Sequence, residues 1–304
     1  MTPKYFSAEQ VRAAVTMADA ITAVRDGYIG LARGEFEMPT RTPLGDGKFL
    51  VMSVQHIPSA TAIVKTLSLN FGGREPAIVG TVTWNDLMSD EVVIADAGSI
   101  TKLRTAAAAG VATDLLAPPT ASTMALIGAG GQAGDQVRAV MEVRPLTSLR
   151  IVARSIDRAE ALAAELRGEL PDVAIEASAD IRTAVEDAEI VSCATTATEP
   201  LFELDWLRPD AHVNAIGAFR PTMRELPDEL LAEVDTIYID ELESILEESG
   251  EILHALEARA ITESKLVEIG RVLEAGPVAR SGRTAFKSVG IAMQDWAIAR
   301  LLAS

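Results

Sequence analysis

The chain has 304 residues, 48% of them apolar and 23% charged, with a formal net charge of −17 from 44 acidic and 27 basic side chains. Those proportions are those of an ordinary globular chain long enough for two domains, so disorder is excluded as its ruling description. A field of that sign repels nucleic-acid phosphates and anionic lipid heads, and no apolar run approaches the ~20 residues of a membrane helix, so neither nucleic acid nor a membrane is an expected partner. The one cysteine, Cys193, excludes an internal disulfide and a thiolate metal site. It lies in the apolar run Ile190–Ala194 and reads as a small core residue. With an N-terminus too polar and mixed for a signal peptide, it points to a cytoplasmic protein.

In chain order, apolar residues from Val11 to Leu31 recur at helical spacing behind a plausible N-cap, Ser7. Residues 38–47 read as a strand with turns. Strand-like runs follow at Phe49–Val54, Thr61–Leu69 and Ala77–Trp84, together an antiparallel sheet. Ser99–Leu116 is alanine-rich and helical, and Pro118-Pro119 then breaks the chain. From Thr123 the pattern changes to alternation: strands at Thr123–Ile127, Leu149–Ala153, Val173–Ala177, Ile190–Ala194, Val213–Gly217 and Thr236–Ile239, with helical stretches between most of them. That alternation predicts an α/β fold, a Rossmann-type doubly wound parallel sheet, beside an α+β domain. Residues 243–277 read as helical surface elements, and Arg283–Leu302 as a strand leading into a helix that returns to the first domain. The expected domains are 1–117 with 283–304, and 118–282.

The sharpest local signal is Gly128-Ala129-Gly130-Gly131-Gln132-Ala133, a G-x-G-x-x-A turn between a predicted strand and a predicted helix. Gly128 permits the tight turn, Gly130 lets the backbone approach a pyrophosphate, and Ala133 lets the helix pack on the strand. Free N–H groups at the helix start attract the phosphates. The setting makes dinucleotide binding the better reading than a bare turn. After the second strand, where an acidic residue would hold the ribose hydroxyls of NAD, the chain has Arg154 and Ser155, which favours NADP(H) over NAD(H); Asp157 leaves NAD open. Thr195 and Thr196, at a later strand end, sit where a nicotinamide ribose is usually met.

Arg104-Thr105-Ala106-Ala107-Ala108, the glycine turn, Val213-Asn214-Ala215-Ile216-Gly217-Ala218 and Phe286-Lys287-Ser288-Val289-Gly290 follow one another in this order. In this the chain resembles the ornithine cyclodeaminase/mu-crystallin family, from about Arg41 to Asp295. The resemblance implies a Rossmann domain joined to a dimerisation and substrate domain, a homodimer, and chemistry at a carbon–nitrogen double bond beside a carboxylate, with hydride passing to or from nicotinamide. It adds Thr105, Gly131, Gln132, Gly217 and Ser288 to the cofactor contacts. It also implies that Arg41, Lys65 and Arg104 hold the substrate carboxylate. An acidic protein that binds a carboxylate needs such a local basic cluster, and arginine offers a bidentate fork. Lys65, inside an apolar strand, is either snorkelling or functional, and is the candidate catalytic proton donor.

One departure bears on the reaction. Cyclodeaminases and alanine dehydrogenases of the family carry an aspartate where this chain has Phe219. Phenylalanine neither accepts a proton nor holds an ammonium, which argues against ornithine cyclisation and amino-acid deamination. Reduction of a preformed imine asks less of such a carboxylate, and Phe219 suits the ring of a cyclic substrate. The expectation is therefore reduction of a carboxylate-bearing, cyclic imine. Its rivals are cyclodeaminase or alanine dehydrogenase chemistry, and a non-enzymatic NADP-binding protein of the mu-crystallin kind. Asp228, at a helix start, reads as a cap. Met52, His56, Phe219 and Met223 are candidates to shape the pocket. His56, His212 and His254 are too scattered for a metal site, and none is expected.

Overall fold

A computed structural model describes residues 2–70, 76–276 and 281–303. Pro277, the end of the expected helical stretch, lies outside them. The chain divides into two compact units, Met1–Ala108 with Gly290–Ser304, and Ala109–Val289.

In the first unit, Ser7 forms a capping box with Gln10, as the sequence suggested. The helical stretch is two helices, Ala8–Ala14 and Met17–Ala32, because Thr16 caps a second start through the Asp19 N–H. The sheet runs in the order Lys4–Phe6, Val92–Asp96, Ile78–Asp86, Thr61–Leu69, Phe49–His56 and Phe36–Glu37, with Thr42–Leu44 also paired to Phe49–His56. All pairs are antiparallel except that of the two outermost strands at the Lys4 end. Strand alternation turns Ile63, Lys65 and Leu67 inward, while Val64 between them is exposed. The inward face is covered by Ala292–Ala299, a helix whose every residue is buried, and Met17–Ala32 packs on that helix.

The second unit holds eight parallel strands in the order Ala174–Ser178, Ser148–Val152, Thr123–Ile127, Ile190–Cys193, His212–Ala215, Thr284–Lys287, Ile237–Ile239 and Leu266–Glu268. The order reverses direction between Thr123–Ile127 and Ile190–Cys193, the switch point at which such sheets bind ligands. Alternate residues serve two cores. Met124 and Leu126 pack with Val137, Leu149 and Leu166, whereas Ala125 and Ile127 pack with Val191, Val213 and Ile245.

Both limits of this unit differ from those expected. Thr284–Lys287 is a central strand, paired with His212–Ala215 on one side and Ile237–Ile239 on the other, so residues 283–289 go with this sheet. At the other limit, Ala97–Leu116 is one helix and the division falls inside it. Its C-terminal half goes with the second unit because Asn214 donates to Thr113 and buried Arg144 donates to the carbonyls of Thr113, Asp114 and Ala117. Among the described residues, no helix is long and apolar enough to cross a membrane.

Candidate active-site residues

The glycine turn has the geometry its spacing predicts. Gly128 has φ of 112°, a conformation that strains any L side chain, and a Cβ there would strike the Ala194 carbonyl. Its N–H donates to the Val152 carbonyl at 2.7 Å. Gly130 and Gly131 are exposed, and a Cβ on Gly130 would meet nothing within 4 Å. The protein itself makes no demand for glycine at 130, and the space beside it is open. Buried Ala133 begins the helix Ala133–Val143, and Gln132 ahead of it makes no side-chain cap, so the first-turn N–H groups have no capping side chain. The Gln132 side-chain oxygen is buried without a partner. These residues fit a dinucleotide. Arg154 is exposed just beyond Ser148–Val152, and Ser155, the N-cap of Ile156–Glu169, makes no side-chain cap hydrogen bond.

The strand end where a nicotinamide ribose is expected, at Thr195, is tied to the turn at Gly217 by a residue that the sequence does not single out. Fully buried Glu225 accepts from the Thr195 N–H (2.7 Å), the Thr195 hydroxyl (2.9 Å), the Gly217 N–H (2.9 Å) and the Ala218 N–H (3.1 Å). A Cβ on Gly217 would lie 2.6 Å from the Glu225 carboxylate and closer still to the Thr195 backbone, so glycine is required. Lys287, equally buried, donates to the Ala218 carbonyl at 2.5 Å and lies 3.0 Å from buried Glu251. Burial pushes the Glu225 carboxyl up, Lys287 opposes that, and Glu251 adds to it. Asp240 plays a similar part for the next motif, accepting from the Ser288 hydroxyl (2.7 Å) and the Val289 N–H (3.0 Å). Two of the expected cofactor-binding hydroxyls, Thr195 and Ser288, are thus directed at buried carboxylates, while Thr196 is exposed. Cys193, on the strand leading to Thr195, is fully buried, and burial raises its thiol well above the ordinary value.

Phe219 follows Ala218, half-buried against the apolar cluster of this unit, with the Arg220 guanidinium 5.5 Å from its ring. Asp228 is the first residue of its helix rather than the cap, and pairs with Arg224 and His254, each at 2.9 Å. Met223 is buried.

The three basic residues meet in the first unit. Lys65 is fully buried, so the snorkelling reading fails. Its ammonium donates to Thr101 (2.7 Å) and to Asp295 (2.5 Å). Arg104 lies along the same carboxylate, its Nε 3.6 Å from Asp295 Oδ1, and donates to Gln294 at 2.8 Å. Arg41 donates to the Gly290 carbonyl at 2.7 Å. Gly290 has φ of 81°, and a Cβ there would collide with the Arg104 guanidinium, so glycine is what lets both arginines close on this point. Burial lowers Lys65 to about 8; Asp295 raises it, and Arg104 and Arg41 lower it. The Asp295 Oδ2 and Arg104 Nε atoms are buried without a hydrogen-bond partner. Thr105 is buried beside Arg104 and is counted with this unit, not with the glycine turn.

Met52 belongs to the core of the first unit. His56 packs between Phe36 and Trp296, with centroids 4.7 and 4.5 Å away, beside a cavity of 340 Å³ that none of the basic trio lines. His212 is buried in hydrogen bonds to Thr284 and Asn214.

The sequence profile of the ornithine cyclodeaminase/mu-crystallin family matches residues 2–303. The chain is 30% identical to the ketimine reductase mu-crystallin of Mus musculus, over 99% of this chain and 96% of that one. Among solved structures it resembles the Thermococcus litoralis Δ1-pyrroline-2-carboxylate reductase in complex with NADH and L-proline, with a TM-score of 0.91 and 29% identity over 98% of this chain and 95% of that one. It also resembles an archaeal alanine dehydrogenase dimer with bound NAD, with a TM-score of 0.90 and 25% identity over 99% and 95%. With its glycine turn, its basic trio and a match over nearly its whole length, the chain belongs to the ornithine cyclodeaminase/mu-crystallin family.

Proposed function

We propose that this protein is an NAD(P)H-dependent oxidoreductase that reduces a carboxylate-bearing, cyclic imine to the corresponding amino acid. The observation that carries the reading is the convergence of Lys65, Arg104 and Arg41 on one buried point of a chain whose net charge is −17. Such a concentration of cations suits a small anion. The arginines orient the carboxylate. Lys65 at about 8 is largely an ammonium at neutral pH, and in that form it gives a proton to the imine nitrogen. When bound, the nicotinamide supplies the hydride that the imine carbon receives. Phe219, in place of a carboxylate, offers a ring no charge with which to hold an amine. The relatives point the same way: the mouse protein is a ketimine reductase, and the Thermococcus enzyme acts on a cyclic imine bearing a carboxylate.

NADP(H) over NAD(H) rests on Arg154 and Ser155, an exposed cation and an uncommitted cap hydroxyl at the expected ribose position. A homodimer is supported by the outward face of the antiparallel sheet. There the rows Ser53–Val64–Thr83–Ile94 and Phe49–Ser68–Val79 carry no charged side chain, and Val64, Val79 and Phe49 are exposed. A second copy would cover this face. The buried, lone thiol accords with a cytoplasmic setting.

The test is NADPH oxidation by the purified protein with pyrroline-2-carboxylate and piperideine-2-carboxylate, with L-ornithine and NAD as the control. Brisk imine reduction and no proline from ornithine is the expected result. Brisk ornithine cyclisation would overturn the inference from Phe219, and tight NADPH binding without turnover of any imine would overturn the enzymatic reading.

A further inference from the structure

Asp295 was not among the residues that the sequence singled out. It lies on Ala292–Ala299, fully buried, with one oxygen 2.5 Å from Lys65 and the other without a partner. The charged groups acting on Lys65 are Asp295 from that helix, Arg104 from Ala97–Leu116 and Arg41 from the segment before Thr42. Two of the three are cations. A buried lysine between two arginines sheds its proton readily unless a carboxylate faces it. Thr101, the other partner of Lys65, gives its own proton to the Ala97 carbonyl at 2.5 Å and so presents a lone pair to the ammonium. Two of the three ammonium protons are thereby directed, and the third has no hydrogen-bond partner among the described residues.

We propose that Asp295 is the positioning residue of the reaction: it keeps Lys65 an ammonium and aims its third proton at the substrate. The inference rests on the reading of Lys65 as proton donor, and it differs from an ordinary buried counter-charge in what it predicts. Removing a carboxylate at this distance lowers the Lys65 midpoint whatever its role, but the activity profile moves with that midpoint only if the reaction uses the Lys65 proton. A carboxylate that holds the donor's proton sets the pH above which the donor fails.

The experiment is the pH profile of kcat/KM for imine reduction, in wild type and Asp295→Asn, with folding checked by thermal melting. Wild type is expected to fall on the alkaline side with a midpoint near 8. In Asp295→Asn the midpoint is expected to move to lower pH by about one unit or more, with most of the lost activity regained in mild acid. A uniform loss with an unmoved midpoint would overturn the proposal. A second readout needs no turnover: the 13Cε shift of Lys65 in lysine-labelled protein, assigned by its disappearance in Lys65→Met, titrates with the same midpoint and the same displacement. If wild type reduces no imine, the functional reading fails, while the NMR titration still decides the link between Asp295 and Lys65. If Asp295→Asn does not fold, Asp295→Glu replaces it: the charge is kept and the aim is changed, so kcat is expected to fall with the midpoint still near 8, and an unchanged kcat would overturn the proposal.

Discussion

Each unit of the molecule buries a small group of charges, and the two groups use the same ingredients to different ends. In the first unit, Lys65, Arg104 and Asp295 point their charged atoms at one another and leave Asp295 Oδ2 and Arg104 Nε without partners. In the second, Glu225 directs its two oxygens at three backbone N–H groups and a hydroxyl, and Lys287 directs its ammonium at the Ala218 carbonyl. Glu251 stands 3.0 Å from Lys287, at ion-pair distance but without hydrogen-bond alignment, as its counter-charge. Incomplete satisfaction in a dry environment is costly; in the first group it falls on the charged atoms around Lys65, and in the second on Glu251, away from the turn that Glu225 and Lys287 hold. Satisfaction by main chain, by contrast, fixes a framework. On the proposed function the first group serves the chemistry, while the second holds the turn that carries Gly217, Ala218 and Phe219.

That contrast can be broken in four ways, in order of expected effect. Lys65→Ala should lower imine turnover about 10³-fold, within the range for loss of a positioned acid, with NADPH affinity, read by fluorescence titration, little changed. Retained turnover would move the first group from chemistry to framework. Lys287→Met should do the reverse. It leaves Glu251 and Glu225 buried without their cation, and urea unfolding should show a loss of about 3–5 kcal/mol, larger than any change in KM for the imine. Val64→Lys places a charge on the bare sheet face and should convert a dimer to monomers in sedimentation, leaving both buried groups intact. An unchanged mass would remove the sheet face as the dimer contact. Smallest, Arg154→Ser should weaken NADPH roughly tenfold relative to NADH, the scale of one charge-assisted hydrogen bond; equal loss for both cofactors would assign Arg154 to the common part of the dinucleotide.

Much of the second unit was legible in the sequence because its signals are local. A glycine turn between a strand and a helix is a short-range event, and Gly128, Gly130 and Ala133 stand where their spacing put them. The first unit was harder. Val92–Asp96 escaped notice because its five residues follow Asp90 and Glu91 and lack a sustained alternation. Lys4–Phe6 is three residues whose strand character comes wholly from pairing with Val92–Asp96. The basic trio was legible, but the buried carboxylates of the two units, Asp295 in the first and Glu225 in the second, were not. Glu225, in Arg224-Glu225-Leu226-Pro227, looks like surface charge, and only the fold brings Thr195 and Gly217 to it. Asp295 did leave a trace: with Gln294 it is a polar pair inside the apolar run from Ile291 to Ile298, and a lone acid on an otherwise apolar helix needs a buried cation.

Cys193 carries a practical consequence. A thiol reacts as its thiolate, and this one is fully buried with its proton held more firmly than usual. The native protein is thus expected to be silent to maleimides and related reagents without removal of any residue. A cysteine introduced at exposed Met88 or Ile57 would become the single point of attachment for a dye, a spin label or a surface, with no background substitution to control for.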